Sequence, residues 1–192
     1  MTSFLITGPA VEPISLADAK TFLRVSDSVD DQLVSTLIAA ARVHVETLTR
    51  RAMITQIWRK VLDHWPSTNE VELPLGPFQN LVAVRVFDSE GDAVTLPMAQ
   101  FLGENQSSPA RIMLPTAISG QPILRSQAAI EIDYQVGYGS TPDDVPADLK
   151  QSLLTLIGHW YQHREAVVMA GSGAIVPLGF DQLIAPYKVM NL

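Results

Sequence analysis

Apolar residues in the stretch 145–165, VPADLKQSLLTLIGHWYQHRE, recur with the spacing of a helix buried on more than one side. Leu149, Leu153, Leu156 or Ile157, and Trp160 follow one another at i, i+4, i+7 or i+8 and i+11, which is one face of a helix. Leu154, Gly158 and Tyr161 form a second, weaker stripe about half a turn away. A helix wet on one side needs a single stripe. The second one predicts contact beyond the helix's own core, so Leu154 and Tyr161 are candidate subunit-interface residues. Pro146 falls in the first turn, where a missing N–H costs nothing, and the pattern ends near His163, Arg164 and Glu165.

Two further helices are predicted near the start of the chain. Ser15 is a good N-cap with Asp18 three residues on, and Leu16, Ala19, Phe22 and Leu23 supply an apolar face. After the loop-like Ser26-Asp27-Ser28-Val29, Asp30 or Asp31 opens a long helix running to about Arg50. Its predicted buried face is Leu33, Leu37, Ile38, Ala41, Val45 and Leu48. At ~1.5 Å per residue it is roughly 30 Å long. Acids at its start and Arg50-Arg51 at its end both suit the helix dipole.

From Ile54 the period shortens. Strands are predicted over 54–62, 71–73, 81–87, 93–96, 111–114 and 128–136, with Leu75-Gly76-Pro77 as a turn. Asp88-Ser89-Glu90-Gly91 reads as a hairpin turn with Gly91 at positive φ. The fold expected is α+β: a helical bundle with an inserted small antiparallel β module and a flexible C-terminal segment. The divisions are 1–51 (N-terminal helical part), 52–140 (β insert) and 141–192 (C-terminal helix and partner-binding tail), forming one composite domain. In the tail, 166–180 carries no charge, and Phe180, Leu183, Ile184 and Tyr187 recur at roughly helical spacing until Pro186 disrupts them. Val176, Phe180, Leu183 and Tyr187 are the candidate anchors for a partner that covers this apolar segment. The alternative is that the tail folds back over its own helices.

Composition narrows the function classes. With 13 Lys and Arg against 20 Asp and Glu the net charge is −7, which argues against gripping phosphates with basic side chains. The absence of cysteine excludes disulfides, thiolate catalysis and cysteine-rich zinc sites. No signal peptide is evident, and no uncharged apolar run reaches the ~18–20 residues that span a bilayer, so a soluble, intracellular protein is expected.

Candidate chemistry is sparse. His159 and His163 are four apart, a spacing that binds zinc, and Glu165 is a conceivable third ligand for a small metal-dependent hydrolase. Trp160 stands where a zincin needs glutamate, and histidines near a helix C-terminus have an ordinary electrostatic explanation. Gly137-Tyr138-Gly139 does not extend to a dinucleotide fingerprint, and Gly171-Ser172-Gly173 lacks the lysine of a P-loop. The pairs Asp30-Asp31 and Asp143-Asp144 precede predicted helices, as capping acids do. The chain is expected to have no catalytic, cofactor or metal site.

Several motifs occur in order along nearly the whole chain. They are Glu12-Pro13-Ile14-Ser15-Leu16-Ala17-Asp18-Ala19-Lys20, Leu23-Arg24-Val25, Asp30-Asp31, Leu37-Ile38, Ala40-Ala41-Arg42, and Ile54-Thr55-Gln56 with Trp58. They continue as Tyr134, Gly137-Tyr138-Gly139, Val145-Pro146, His159-Trp160-Tyr161, Arg164-Glu165 and a tail of Pro177, Gly179-Phe180, Leu183, Ile184 and Pro186-Tyr187. Together they resemble the head–tail connector, or adaptor, family of long-tailed phages and gene transfer agents. Arg50 departs from the pattern, near a position where glycine is usual, as does His163, where a small polar residue is usual. The resemblance implies a structural protein of the phage-like particle, made in the bacterial cytoplasm and placed at the head–tail junction. It implies a ring, commonly of twelve copies, between the portal and a tail-completion (stopper) protein. Double-stranded DNA would pass through its channel without specific binding, and neither membrane nor cofactor is involved.

Overall fold

The computed structural model describes residues 2–105, 109–163 and 179–189. It is α+β and divides into two compact units: Met1–Pro9 with Thr55–Tyr138, and Ala10–Ile54 with Gly139–Asn191. The β unit is thus inserted between the helical parts, and it also takes the N-terminal strand. That strand lies within the stretch 1–51, the N-terminal helical part, ahead of the first expected helix. Thr2–Thr7 alternates no polar residue against its apolar ones, so no period marked it as a strand; pairing with its neighbour makes it one.

In the β unit, β1 (Thr2–Thr7), β2 (Gln56–Leu62), β4 (Phe78–Phe87), β5 (Ala93–Thr95) and β8 (Ile130–Val136) form one antiparallel sheet of order β1-β2-β8-β4-β5. A second sheet pairs β3 (Glu70–Glu72), β7 (Arg111–Met113) and β6 (Leu102–Glu104) in that order. The 4–5 hairpin turn forms because the Asp88 carboxylate accepts N–H bonds from Glu90, Gly91 and Asp92 at 2.9 Å each. Gly91 takes φ 96°, the left-handed region that favours glycine. The alternation of β8 buries Ile130, Ile132, Tyr134 and Val136 on one face, together with Val84 and Val86 of β4. Lys60 on that inner face donates to the Glu72 carbonyl, and the ring of Phe78 packs on Gly103, so the small sheet lies against the large one. Burial lowers the Lys60 pKa, and Glu72 raises it in part.

The other face of the large sheet carries charge. Arg59 grips Asp133 through Nε at 2.6 Å and reaches Glu131 at 2.9 Å; Arg85 bonds the same two acids from β4. Burial alone would raise the Asp133 pKa, but the bonds from Arg59 and Arg85 outweigh it and hold the carboxyl below its usual range.

The helical unit contains α1 (Leu16–Leu23), α2 (Asp31–Thr49), α3 (Ala147–Gln162) and the short α4 (Phe180–Ile184), which runs into a 3₁₀ turn at Ala185–Tyr187. Ser15 caps α1 as expected: its Oγ accepts the Asp18 N–H at 3.0 Å and donates to the Asp18 carboxylate at 2.6 Å. Asp30 stands at the N-cap of α2 but makes no side-chain capping bond. The buried face of α2 also differs from expectation. Val34, Ile38, Ala41, Val45, Glu46 and Thr49 are buried, whereas Leu33 and Leu37 are half-buried and Leu48 is exposed. The line 34-38-41-45-49 carries β-branched residues and one alanine. The larger leucines lie at its rim. Arg50 closes α2 in the left-handed conformation at φ 55°, the geometry that explains why glycine suits this position. Past the β unit, Gly139 leaves no room for a side chain: a Cβ there would sit 2.2 Å from the Asp144 carboxylate. That carboxylate accepts from both the N–H and hydroxyl of Thr141 at 2.9 Å, closing the turn before α3.

Candidate assembly interface

The motif residues near the start of the helical unit meet in ion pairs. Glu12, in the segment before α1, accepts from Arg42 Nε at 2.8 Å, and Arg42 also bonds Glu46 one turn on, at 3.0 Å. The other Glu46 oxygen accepts the Met53 backbone N–H at 2.8 Å. One buried acid therefore ties the entry segment, the middle of α2 and the turn beyond it. Burial alone would lower the Arg42 pKa, but Glu12 and Glu46 more than offset it and leave it raised. Lys20 pairs with Asp31 at 2.5 Å, joining α1 to the start of α2. Glu46 was not singled out from sequence. The signal was there: an acid on the α2 core face with arginine four residues before it.

The first stripe of α3 packs as expected at Leu149, Leu153, Leu156 and Ile157, all buried. Each such side chain contributes roughly 1.5–3 kcal/mol by removal from water. Trp160, expected in the core, is half-buried instead. It forms one wall of an open groove of about 600 Å³ with Thr36, Ala39, Ala40, Val43, His44 and Thr47. Its ring meets His44 edge-on at 5.8 Å. The second stripe is largely used within the chain. Gly158 is buried against the Phe22 ring of α1, and the Tyr161 hydroxyl donates to Asp30 at 2.6 Å. Leu154 and Tyr161 are both half-buried.

The tail candidates separate. Phe180 is 1% exposed and lies 6.3 Å from the His44 ring, so the structure places it in the core of its own subunit, beside the buried Ile184. Leu183 and Tyr187 are half-buried, and the Tyr187 carbonyl accepts from Arg51 Nε at 2.9 Å. Val176 lies outside the described residues, as does most of the segment 166–180. The rings of His159 and His163 are 4.7 Å apart, and Glu165 also lies outside the described residues. Among the described residues no three histidines or acids converge as a metal site, and no helix is long and apolar enough to cross a membrane.

Residues 13–90 match the family model of phage gp6-like head-tail connector proteins. No curated protein matches the chain. Among solved structures, a chain in the neck of an empty GTA particle, computed with C6 symmetry, is 22% identical with a TM-score of 0.84. A chain in the virion of a native gene transfer agent particle is 22% identical with a TM-score of 0.81. A third, in the neck of a native GTA particle computed with C12 symmetry, is 23% identical with a TM-score of 0.77. Each likeness covers 100% of this chain and 97% of the other. The resemblance to phage head–tail connectors is thus matched by the family model over residues 13–90, and the whole chain has the fold of a protein found in gene transfer agent necks.

Proposed function

We propose that this chain is a structural head–tail adaptor, forming a ring between the portal and the tail of a phage-like particle. It works by assembly and carries out no turnover. The observation that supports this most directly is the fold likeness to a gene transfer agent neck chain, which runs over the full length of this chain and includes the stretch matched by the connector family. A ring needs a heterologous interface, in which two different patches meet and the rotation closes. The half-buried Leu154 and Tyr161 are assigned to the subunit interface. Leu183 and Tyr187, with Val176, are assigned to the portal or the next adaptor; Phe180 acts from inside, fixing α4 beneath them. The C12 symmetry of one matched neck favours twelve copies. A stopper protein would dock on the ring's far side. The excess of acids suits a channel that lets double-stranded DNA pass, since a lysine-rich wall would hold the duplex through counterion release.

Mass measurement of the purified protein, alone and mixed with the portal of the same particle, tests this reading. A closed ring, or a defined complex with the portal, is expected. A chain that stays monomeric and ignores the portal overturns it.

A further inference from the structure

Strand β1 is anomalous for a subunit in water. Five of its six residues are exposed, and Phe4, Leu5 and Ile6 are each exposed at 42–46%. It is the terminal strand of its sheet, so among the described residues its outer row of N–H and C=O groups has no strand partner. Edge strands are normally protected by charge, proline, bulges or shortness; β1 has one register irregularity, between Leu5 and Thr7, and pairs regularly from Thr2 to Leu5. Here the first charged residue of the chain is Glu12, and the strand itself reads TSFLIT.

The opposite side of the same sheet has a gap. β4 is ten residues long, but β5 pairs only with Arg85–Phe87, and the last bond is from the Leu96 N–H to the Val84 carbonyl at 2.9 Å. Pro97 follows, without an N–H to continue the ladder. Residues 79–83 of β4 therefore have a strand neighbour on one side alone, and Gln79, Asn80 and Val82 are exposed there. Two bulges bend β4 in this stretch, which shortens the register an incoming strand can use.

Length and direction make these two edges complementary. β1 pairs in unbroken register over Thr2–Leu5, four residues that fit within the five-residue gap. Every neighbour pair from β1 through β2 and β8 to β4 is antiparallel, so β1 runs opposite to β4. When copies repeat by rotation with the sheet continued, β1 of one copy arrives beside β4 of the next with antiparallel polarity, and hydrogen bonding needs no reversal. Two β1 strands pairing with each other would instead make a two-fold dimer that cannot grow into a ring. The geometry points to β1 as a strand donated in trans: it fills the 79–83 gap of β4 in a second copy and joins successive subunits through one sheet. This inference rests on the ring reading above.

The chain has no cysteine, so introduced thiols report alone. Phe4 and Ala83 lie on the same face of the sheet, as both align with the Arg59–Asp133 row. Oxidising a Phe4→Cys/Ala83→Cys variant should give a ladder of covalent multimers, while Phe4→Cys alone should give none. A Phe4→Lys/Ile6→Lys variant alters exposed positions only. It should lower the ring population about tenfold or more with an unchanged melting temperature for the subunit. Wild-type rings that the lysine variant forms equally well overturn this inference while leaving the ring reading intact. Covalent dimers from Phe4→Cys alone overturn it in favour of β1–β1 pairing. A wild-type chain that never assembles overturns both.

Discussion

Removing the Glu46 carboxylate should be among the most costly single changes in the helical unit. Glu46 is 7% exposed and serves two donors, the Arg42 guanidinium and the Met53 N–H. Glu46→Ala leaves Met53 without that acceptor and Arg42 with Glu12, which is itself one-third exposed. Breaking a buried pair by deleting one partner costs ~3–5 kcal/mol. Because Arg42 keeps its two bonds to Glu12, the lower end applies, about 3 kcal/mol. For a chain of this size that is a fall of roughly 6–12 °C in melting temperature. Glu46→Gln keeps an oxygen for Met53 and loses only the charge on the bond to Arg42, so it should cost about 1 kcal/mol. Urea unfolding at fixed low protein concentration checks both, since a ring would otherwise couple stability to concentration. Equal losses for Ala and Gln would show that the charge alone matters and refute the assignment of Glu46 as a two-way tie. A loss below about 0.5 kcal/mol for Ala would refute the tie altogether.

Other variants test other parts of the fold. Trp160→Ala should cost about 1–2 kcal/mol, less than the ~3–5 of a fully buried aromatic, because Trp160 lines an open groove; denaturant unfolding reads the difference. Gly139→Ala should cost about 1–3 kcal/mol, since its methyl collides with the Asp144 side chain and the turn must shift; thermal unfolding checks it. Asp133 is held below the usual carboxylate range, so it binds fewer protons folded than unfolded. Its stabilisation is full above the ordinary carboxylate pKa of about 4 and drains as pH falls through its depressed folded value. Asp133→Asn should therefore flatten the acid limb of the stability profile below about pH 4, and an unaltered limb would remove Asp133 from the account.

What was legible in the sequence followed from strong local signals. Ser15 and Asp18 mark a cap, Gly91 after an aspartate marks a hairpin, and the stripe of α3 marks a core face; each forms as read. The misses have tertiary causes. β1 has neither charge nor alternation, and β6 is three residues long, so neither carries a period to detect. The buried face of α2 adds Val34 and Thr49 to the expected Ile38, Ala41 and Val45, because close packing selects fit over hydrophobicity, and Leu48 is left outside.

The candidate site was legible mainly as a family resemblance, and the structure supplies the physics behind its motifs. Glu12 and Arg42, thirty residues apart, were quoted as separate motif members and turn out to be one ion pair. Asp30, read as a capping acid, instead accepts from Tyr161 at a separation of 131 residues. No periodicity contains such a pairing, because it is set by how α3 packs on the first two helices. The second stripe of α3 reads in sequence as a surface for contact beyond the helix's own core. Gly158 lies against Phe22, so a short helix of the same chain covers part of that stripe, while Leu154 and Tyr161 stay half-buried. On β1, Phe4, Leu5 and Ile6 are three exposed apolar residues in a row, where periodicity gives no warning and where an edge strand without charge is itself a physical signal for assembly.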